Sequence, residues 1–266
     1  MTDLDVALSL ESSAPGRFGA VFPDGWQQGR GAFGGLVVAA LVRAAAATSA
    51  DLARTLRSLT AELCGPTLPG PADILVEPLR IGSGVSTLAV SLVQAGEVQA
   101  HAVAVFGRER DAAAAWTELA PPAAPPWPEV PVLPLSAAVG GPVFAQHVEF
   151  RPVRAPLFAG GDEARAEGWV RLKQPPAVRD AAWLALLCDA WWPAAFARMT
   201  APRPMATIAF TFQPLVDASR LDPEAPVYHR ATAPVARGGY AVELRELWSA
   251  DGELLALNQQ TFAVIR

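Results

Sequence analysis

The second half of this chain repeats the first, and that duplication constrains the fold more than any other feature. Gly70–Phe106 reads GPADILVEPLRIGSGVSTLAVSLVQAGEVQAHAVAVF, and Ala225–Ile265 reads APVYHRATAPVARGGYAVELRELWSADGELLALNQQTFAVI. Gly84 pairs with Gly238, Gly96 with Gly252, Phe106 with Phe262 and, upstream, Pro66 with Pro214. The separation is nearly constant and drifts only at turns, as expected of one unit copied in tandem. Each copy contributes an alternating pair of strands. Val85–Val93 precedes Ala95-Gly96, and Tyr240–Trp248 precedes Asp251-Gly252. A small residue or aspartate followed by glycine between two such runs is a hairpin signal, because the turn needs backbone with positive φ.

Upstream of each strand set lies an unusually apolar helix. Phe33–Ala47 is FGGLVVAALVRAAAA, and Ala181–Ala197 is AAWLALLCDAWWPAAFA, with Pro193 expected to end or kink the second. A helix apolar all round must be enclosed. A curved antiparallel sheet wrapped around one central helix encloses it, which is the hotdog arrangement. The expected fold is therefore α+β, a double hotdog: two antiparallel sheets, each around a central apolar helix, joined edge to edge. Proline and alanine crowd residues 111–139, which excludes regular helix and central strand. This gives an N-terminal unit at 1–110, a linker at 111–139 and a C-terminal unit at 140–266.

Composition removes several function classes. The net charge is −5 and the 21 Lys and Arg residues are scattered, so no basic stripe is available for nucleic acid and no polybasic patch for a membrane. The longest apolar stretch, 33–47, is too short to span a bilayer. The start MTDLDVALSL lacks the basic region of a signal peptide, so a cytoplasmic protein is expected. Cys64 and Cys188 sit in apolar runs and read as buried free thiols. His101, His147 and His229 have no ligand spacing, so no metal site is expected.

Gly29–Gly34 matches G-x-G-x-x-G, but the preceding PDGWQQ is not a strand and no strand separates the helix from Asp51, so a dinucleotide site is not indicated. Those glycines read instead as allowing the helix start to approach the sheet. No G-x-S-x-G elbow occurs. The informative residue is Asp189, an acid within an apolar helix, where it must be solvated, paired or used. The first helix has no acid at all. Thr207 and Thr211 fall in MATIAFTFQP, where they are expected to share a face. Asn258, Gln259 and Gln260 interrupt the last strand where the first copy has Ala102, Val103 and Ala104. Gln259 and Gln260 must face opposite ways. The polar groups thus gather in the second copy, as in a duplicated protein that keeps one active site.

Taken together, GAFGGLVVAALVRAA, RSLTAELCGP, FAQHVEFRPV, LLCDAWWPAAF, ATIAFTFQP, ARGGY and DGELLALNQQ span nearly the whole chain. In this order they resemble acyl-CoA thioesterase II and the wider thioesterase-like double-hotdog superfamily. The resemblance implies a catalytic aspartate, threonine and glutamine, carried here by Asp189, Thr207 (with Thr211 as the fallback) and Gln260. It implies hydrolysis of acyl-CoA, without metal or cofactor, by a water that Asp189 activates and Thr207 and Gln260 position. The helix-start glycines Gly34 and Gly35 are candidates for oxyanion contacts. Trp191, Trp192 and Phe196 are candidates for the acyl slot, and Arg237 and Arg203 for the CoA phosphates. Association into a homo-oligomer is expected. The alternatives are a hotdog dehydratase, disfavoured because no histidine lies on either helix, a hotdog acyltransferase, and an acyl-binding module without activity.

Overall fold

The computed structural model describes residues 2–49, 51, 53–154 and 157–265. A short helix, α1 (Asp3–Ala7), leads into β1 (Leu10–Ala14), β2 (Arg17–Phe22), the small ribbon of β3 (Gln27–Gln28) and β4 (Gly31–Ala32), and helix α2 (Gly34–Thr48). Then come β5 (Arg54–Leu63), β6 (Gly70–Ile81), β7 (Val85–Gln94) and β8 (Glu97–Arg108). The second half follows the same plan, with β9 (Val148–Pro152), β10 (Arg165–Leu172), α3 (Ala181–Asp189), β11 (Met205–Pro214), β12 (Val227–Arg237), β13 (Tyr240–Trp248) and β14 (Leu254–Val264).

The two expected sheets join edge to edge into one continuous sheet. Twelve strands pair in the order β1-β2-β6-β7-β8-β5-β11-β14-β13-β12-β10-β9. Every pairing in this sheet is antiparallel. Outward from the centre the two halves repeat each other: β5-β8-β7-β6-β2-β1 on one side and β11-β14-β13-β12-β10-β9 on the other. The junction is β5 against β11, with Phe210 opposite Ala61 and Phe212 opposite Leu59. Pairing these two strands leaves neither edge open, which is why the sheets fuse.

Helix α2 lies on β5–β8, α3 lies on β11, β13 and β14, and the helices pack against each other. Arg43, near the end of α2, bonds Asp180, the N-cap of α3, with Nε 3.1 Å from Oδ2. At the other end Asp189, the last residue of α3, meets Gly34 and Gly35 at the start of α2. The helices therefore run antiparallel. Leu36–Leu41 of α2 and Leu184–Cys188 of α3 are fully enclosed in one continuous apolar core.

The second helix is shorter than expected. It stops at Asp189, and Ala194–Arg198 forms a separate 3-10 turn behind Pro193. Cys188 is buried as expected, but Cys64 is exposed, because it lies just past the end of β5. Within 111–139 there is no α-helix and no strand. The segment lies across the C-terminal half: Trp127 stacks under the guanidinium groups of Arg151 and Arg171, and Trp169 Nε1 donates to the Pro125 carbonyl at 2.9 Å. Among the described residues no helix is long and apolar enough to cross a membrane.

Candidate active site

Register identifies positions that correspond between the two halves. Leu88 and Ala104 are paired across β7 and β8 as Glu243 and Gln260 are across β13 and β14. Val90 and Ala102 match Arg245 and Asn258 in the same way. Ile74 opposite Leu92 matches His229 opposite Leu247. Leu56 opposite Phe106 matches Thr207 opposite Phe262, each beside a bulge. Six buried apolar residues of the first half thus correspond to six polar or charged ones of the second, of which all but Thr207 are buried.

These polar residues converge on the end of α3. Gln260 Nε2 donates to Asp189 Oδ1 at 2.9 Å and to Asn258 Oδ1 at 2.9 Å. Thr207 Oγ1 donates to Gln260 Oε1 at 2.9 Å, and Asn258 Nδ2 donates to the Thr211 carbonyl at 2.7 Å. Both amide hydrogens of Gln260 are therefore committed, and its orientation is set by three partners.

The structure brings Asp189, Thr207 and Gln260 together, and it corrects the expected face of Thr211. The bulge between Thr207 and Ala209 adds one residue to β11, so Thr207 turns inward to the face of Phe210, Phe212 and Gln260, while Thr211 pairs with the outward Gln259. Gln260 is buried and Gln259 exposed, as strand alternation requires.

The glycines Gly34 and Gly35 both approach Asp189, and Gly34 also approaches the sheet, where its Cβ would lie 3.2 Å from Leu63 Cδ1 of β5. A Cβ on Gly34 would lie 2.8 Å from Asp189 Oδ2, and one on Gly35 would lie 2.9 Å from Asp189 Cβ. The α2 N-cap, Phe33, offers no capping oxygen. The Asp189 carboxylate lies at that place from the other helix, where the Gly35 amide favours its charged form.

Beneath Asp189 lies a charged layer that the sequence reading missed. Arg245 Nη1 is 3.6 Å from Asp189 Oδ1 and donates to the Cys188 carbonyl at 2.7 Å. Its Nε donates to Glu243 Oε1 at 2.7 Å, and Glu243 Oε2 accepts the Ala194 N–H at 2.6 Å. His229 Nε2 donates to the same Cys188 carbonyl at 3.2 Å, and its ring stacks on Trp191. Burial pushes the Asp189 carboxyl above the ordinary aspartate range. Arg245, Gln260 and the Gly35 amide pull it back only in part, and the Glu243 charge adds to the rise. Burial, with the Arg245 charge, holds His229 well below the ordinary histidine range and hence neutral.

The other expected site residues separate. Trp191 is buried against Phe150 and His229, and Trp192 is half-buried beside both Trp191 and Phe150. Phe196 packs on Phe158. Arg237 and Arg203 are exposed, and no described ion pair or side-chain hydrogen bond links either to the Asp189 cluster. Among the described residues no group of three or more His, Cys, Asp or Glu side chains could hold a metal ion. A surface cavity of about 580 Å³ lined by Val6, Glu11, Val21, Asp73 and Gln94 shares no residue with the cluster.

A continuous antiparallel sheet carrying two enclosed helices is a hotdog arrangement. A protein of unknown function with a hot dog fold from Alicyclobacillus acidocaldarius superposes with a TM-score of 0.90 at 27% identity, covering 100% of this chain and 99% of that one. The tesB protein of Mycobacterium avium subs paratuberculosis gives 0.81 at 19% identity, covering 99% of each chain. Acyl-CoA thioesterase II TesB2 of Mycobacterium marinum gives 0.76 at 22% identity, covering 98% of each. No curated protein matches the sequence. The acyl-CoA thioesterase N-terminal domain family matches residues 22–107, and the acyl-CoA thioesterase C-terminal domain family matches 117–264. The chain belongs to the acyl-CoA thioesterase family and is a thioesterase.

Proposed function

We propose that the protein hydrolyses acyl-CoA thioesters at Asp189, with Thr207 and Gln260 positioning the attacking water. In this reading 1–110 and 140–266 are two hotdog units joined by the 111–139 segment, and only the second keeps a site. The observation that carries the reading is the chain of hydrogen bonds from Thr207 through Gln260 to a carboxylate that burial makes more basic than an ordinary aspartate. A base of raised proton affinity is better matched to taking a proton from water near neutral pH than a surface aspartate is. Thr207 is half-buried, so this end of the chain is the side from which water and thioester reach the carboxylate.

The start of α2 supplies the complement. Its first-turn N–H groups carry partial positive charge, and they converge where the glycines leave room. An oxyanion developing on the thioester carbonyl beside Asp189 would be stabilised there. His229 lies behind Cys188 with Nε2 bonded and no exposed surface, so it cannot hand a proton to a substrate as dehydratase chemistry would require. The acyl chain and the physiological thioester are read from an assay over a chain-length series of acyl-CoA. Asp189→Asn conserves size and removes the base, and kcat is expected to fall by about 10²–10⁴ with the fold retained. Wild-type turnover by this variant would overturn the mechanism.

A further inference from the structure

With Asp189 as the base, as proposed above, its reactivity depends on what governs its charge. Two carboxylates, Asp189 and Glu243, share one buried cation, Arg245, and the sharing is unequal. Glu243 holds the guanidinium Nε at 2.7 Å, whereas Asp189 Oδ1 lies 3.6 Å from Nη1. Glu243 is itself locked, because its second oxygen takes the Ala194 N–H at 2.6 Å. The guanidinium has a second anchor in the Cys188 carbonyl at 2.7 Å, one residue before Asp189. We propose that Glu243 is a positioning residue that draws the Arg245 guanidinium off Asp189, leaving the catalytic carboxylate short of its counter-ion.

The remaining surroundings support that role. From β12 the cluster is faced by neutral His229, and from β14 by Gln260 and Asn258, which carry no charge. From α2 it is faced by Gly34 and Gly35, which do not titrate. On α3 itself the neighbouring Cys188 thiol is held neutral by burial. Among the described residues Arg245 and Glu243 are thus the charged side chains around Asp189; burial raises the Glu243 carboxyl too, Arg245 and the Ala194 N–H pull it back, and the geometry of the pair decides how much positive charge Asp189 receives. In the first half the same two positions are Leu88 and Val90, so the sheet does not need a charged pair there to fold.

The test uses Glu243→Gln. A glutamine oxygen can still accept the Ala194 N–H, while its NH₂ faces the guanidinium and repels it toward Asp189. Two readouts are taken on the intact protein: the carboxyl carbon-13 titration of Asp189, assigned by its loss in Asp189→Asn, and the acid limb of kcat/KM against pH. In Glu243→Gln both are expected to move to lower pH by about one unit, and in Arg245→Met both to higher pH by a similar amount. Glu243→Asp retracts the carboxylate by one methylene and is expected to give a smaller shift in the direction of Glu243→Gln, which keeps the test available should the glutamine variant fail to fold. A purely structural role would lower stability without moving either titration. An unmoved or raised Asp189 titration in Glu243→Gln or Glu243→Asp overturns the proposal. A carboxyl titration that moves while the acid limb stays upholds the competition for Arg245 and instead overturns Asp189 as the base.

Discussion

Gln260 and Gln259 are sequence neighbours with opposite surroundings. Gln260 is enclosed and bonded to Thr207, Asn258 and Asp189, whereas Gln259 is exposed. Gln260→Ala is expected to lower kcat by at least tenfold by removing the link that orients the site, and Gln259→Ala to leave turnover within about twofold. Equal losses would mean that the last strand is out of register. The bulge makes the parallel prediction for the threonines: Thr207→Val should slow turnover and cost about 1–3 kcal/mol of stability by stranding Gln260 Oε1, whereas Thr211→Val should do neither. The charge on Asp189 also leaves a mark on stability. Burial raises its folded proton affinity, so below about pH 3.9 both folded and unfolded forms are protonated and nothing is lost. As pH rises, the unfolded chain ionises first and the wild type loses stability relative to Asp189→Asn, until the folded carboxyl has ionised too. Melting both proteins across that range should show the gap widening with pH and then levelling; a gap that narrows would mean that the carboxylate is stabilised by its surroundings. Asp189 and Gln260 were legible in the sequence because each is a polar intruder in an apolar run. Glu243 and Arg245 were not, because ELRELW reads as a strand with its charges toward solvent. The available clue was phase: Glu243 and Arg245 share the parity of buried Ala241 and Leu247, and Leu244 is left exposed.

The two helices have different tasks at the element scale. α3 ends in an acid, which its own dipole disfavours. Arg245 and His229 offset this by capping the Cys188 carbonyl, and the start of α2 offsets it from the front. The early end of α3 at Asp189 belongs to this arrangement. Its apolar composition suggested a longer helix, but Pro193 and the Glu243 bond to Ala194 redirect the chain. Gly35 is the hinge of the contact, since an added Cβ would also lie 2.4 Å from the Phe33 ring. Gly35→Ala is therefore expected to cost about 1–3 kcal/mol and to lower kcat by displacing the carboxylate. Gly19→Ala, whose Cβ would meet only the Glu11 carbonyl at 3.9 Å, should be close to neutral in both respects. Thermal melts and kinetics on the pair separate close approach from a general sensitivity of glycines. The repeat, the hairpins and the first helix were legible because each has a period or a turn residue that declares it. The bulge was not, because Thr207-Ile208-Ala209 carries no glycine or other local mark of an inserted residue.

At the scale of the whole molecule, duplication would suggest two independent units, yet the structure ties them together at several places. β5 pairs with β11, so the sheet has no break at the centre. α2 packs on α3, and residues of both helices belong to the same apolar core. The Asp189 carboxylate from one half fills the helix start of the other, and Arg43 reaches from the first half to Asp180 in the second. Separating the halves would expose the β5 and β11 edges, bare the inner sides of both helices and leave a buried-type carboxylate without the helix start it sits against. Each change opposes independent folding. The whole chain is therefore expected to unfold in a single calorimetric transition, with the van't Hoff enthalpy matching the calorimetric one, despite its repeated sequence. Residues 1–110 and 140–266 expressed separately should be aggregated or unfolded, and should recover structure and thioesterase activity only when made together. Two resolved transitions, or a soluble, cooperatively folded half, would show that the shared core contributes less than the strands and helices within each copy.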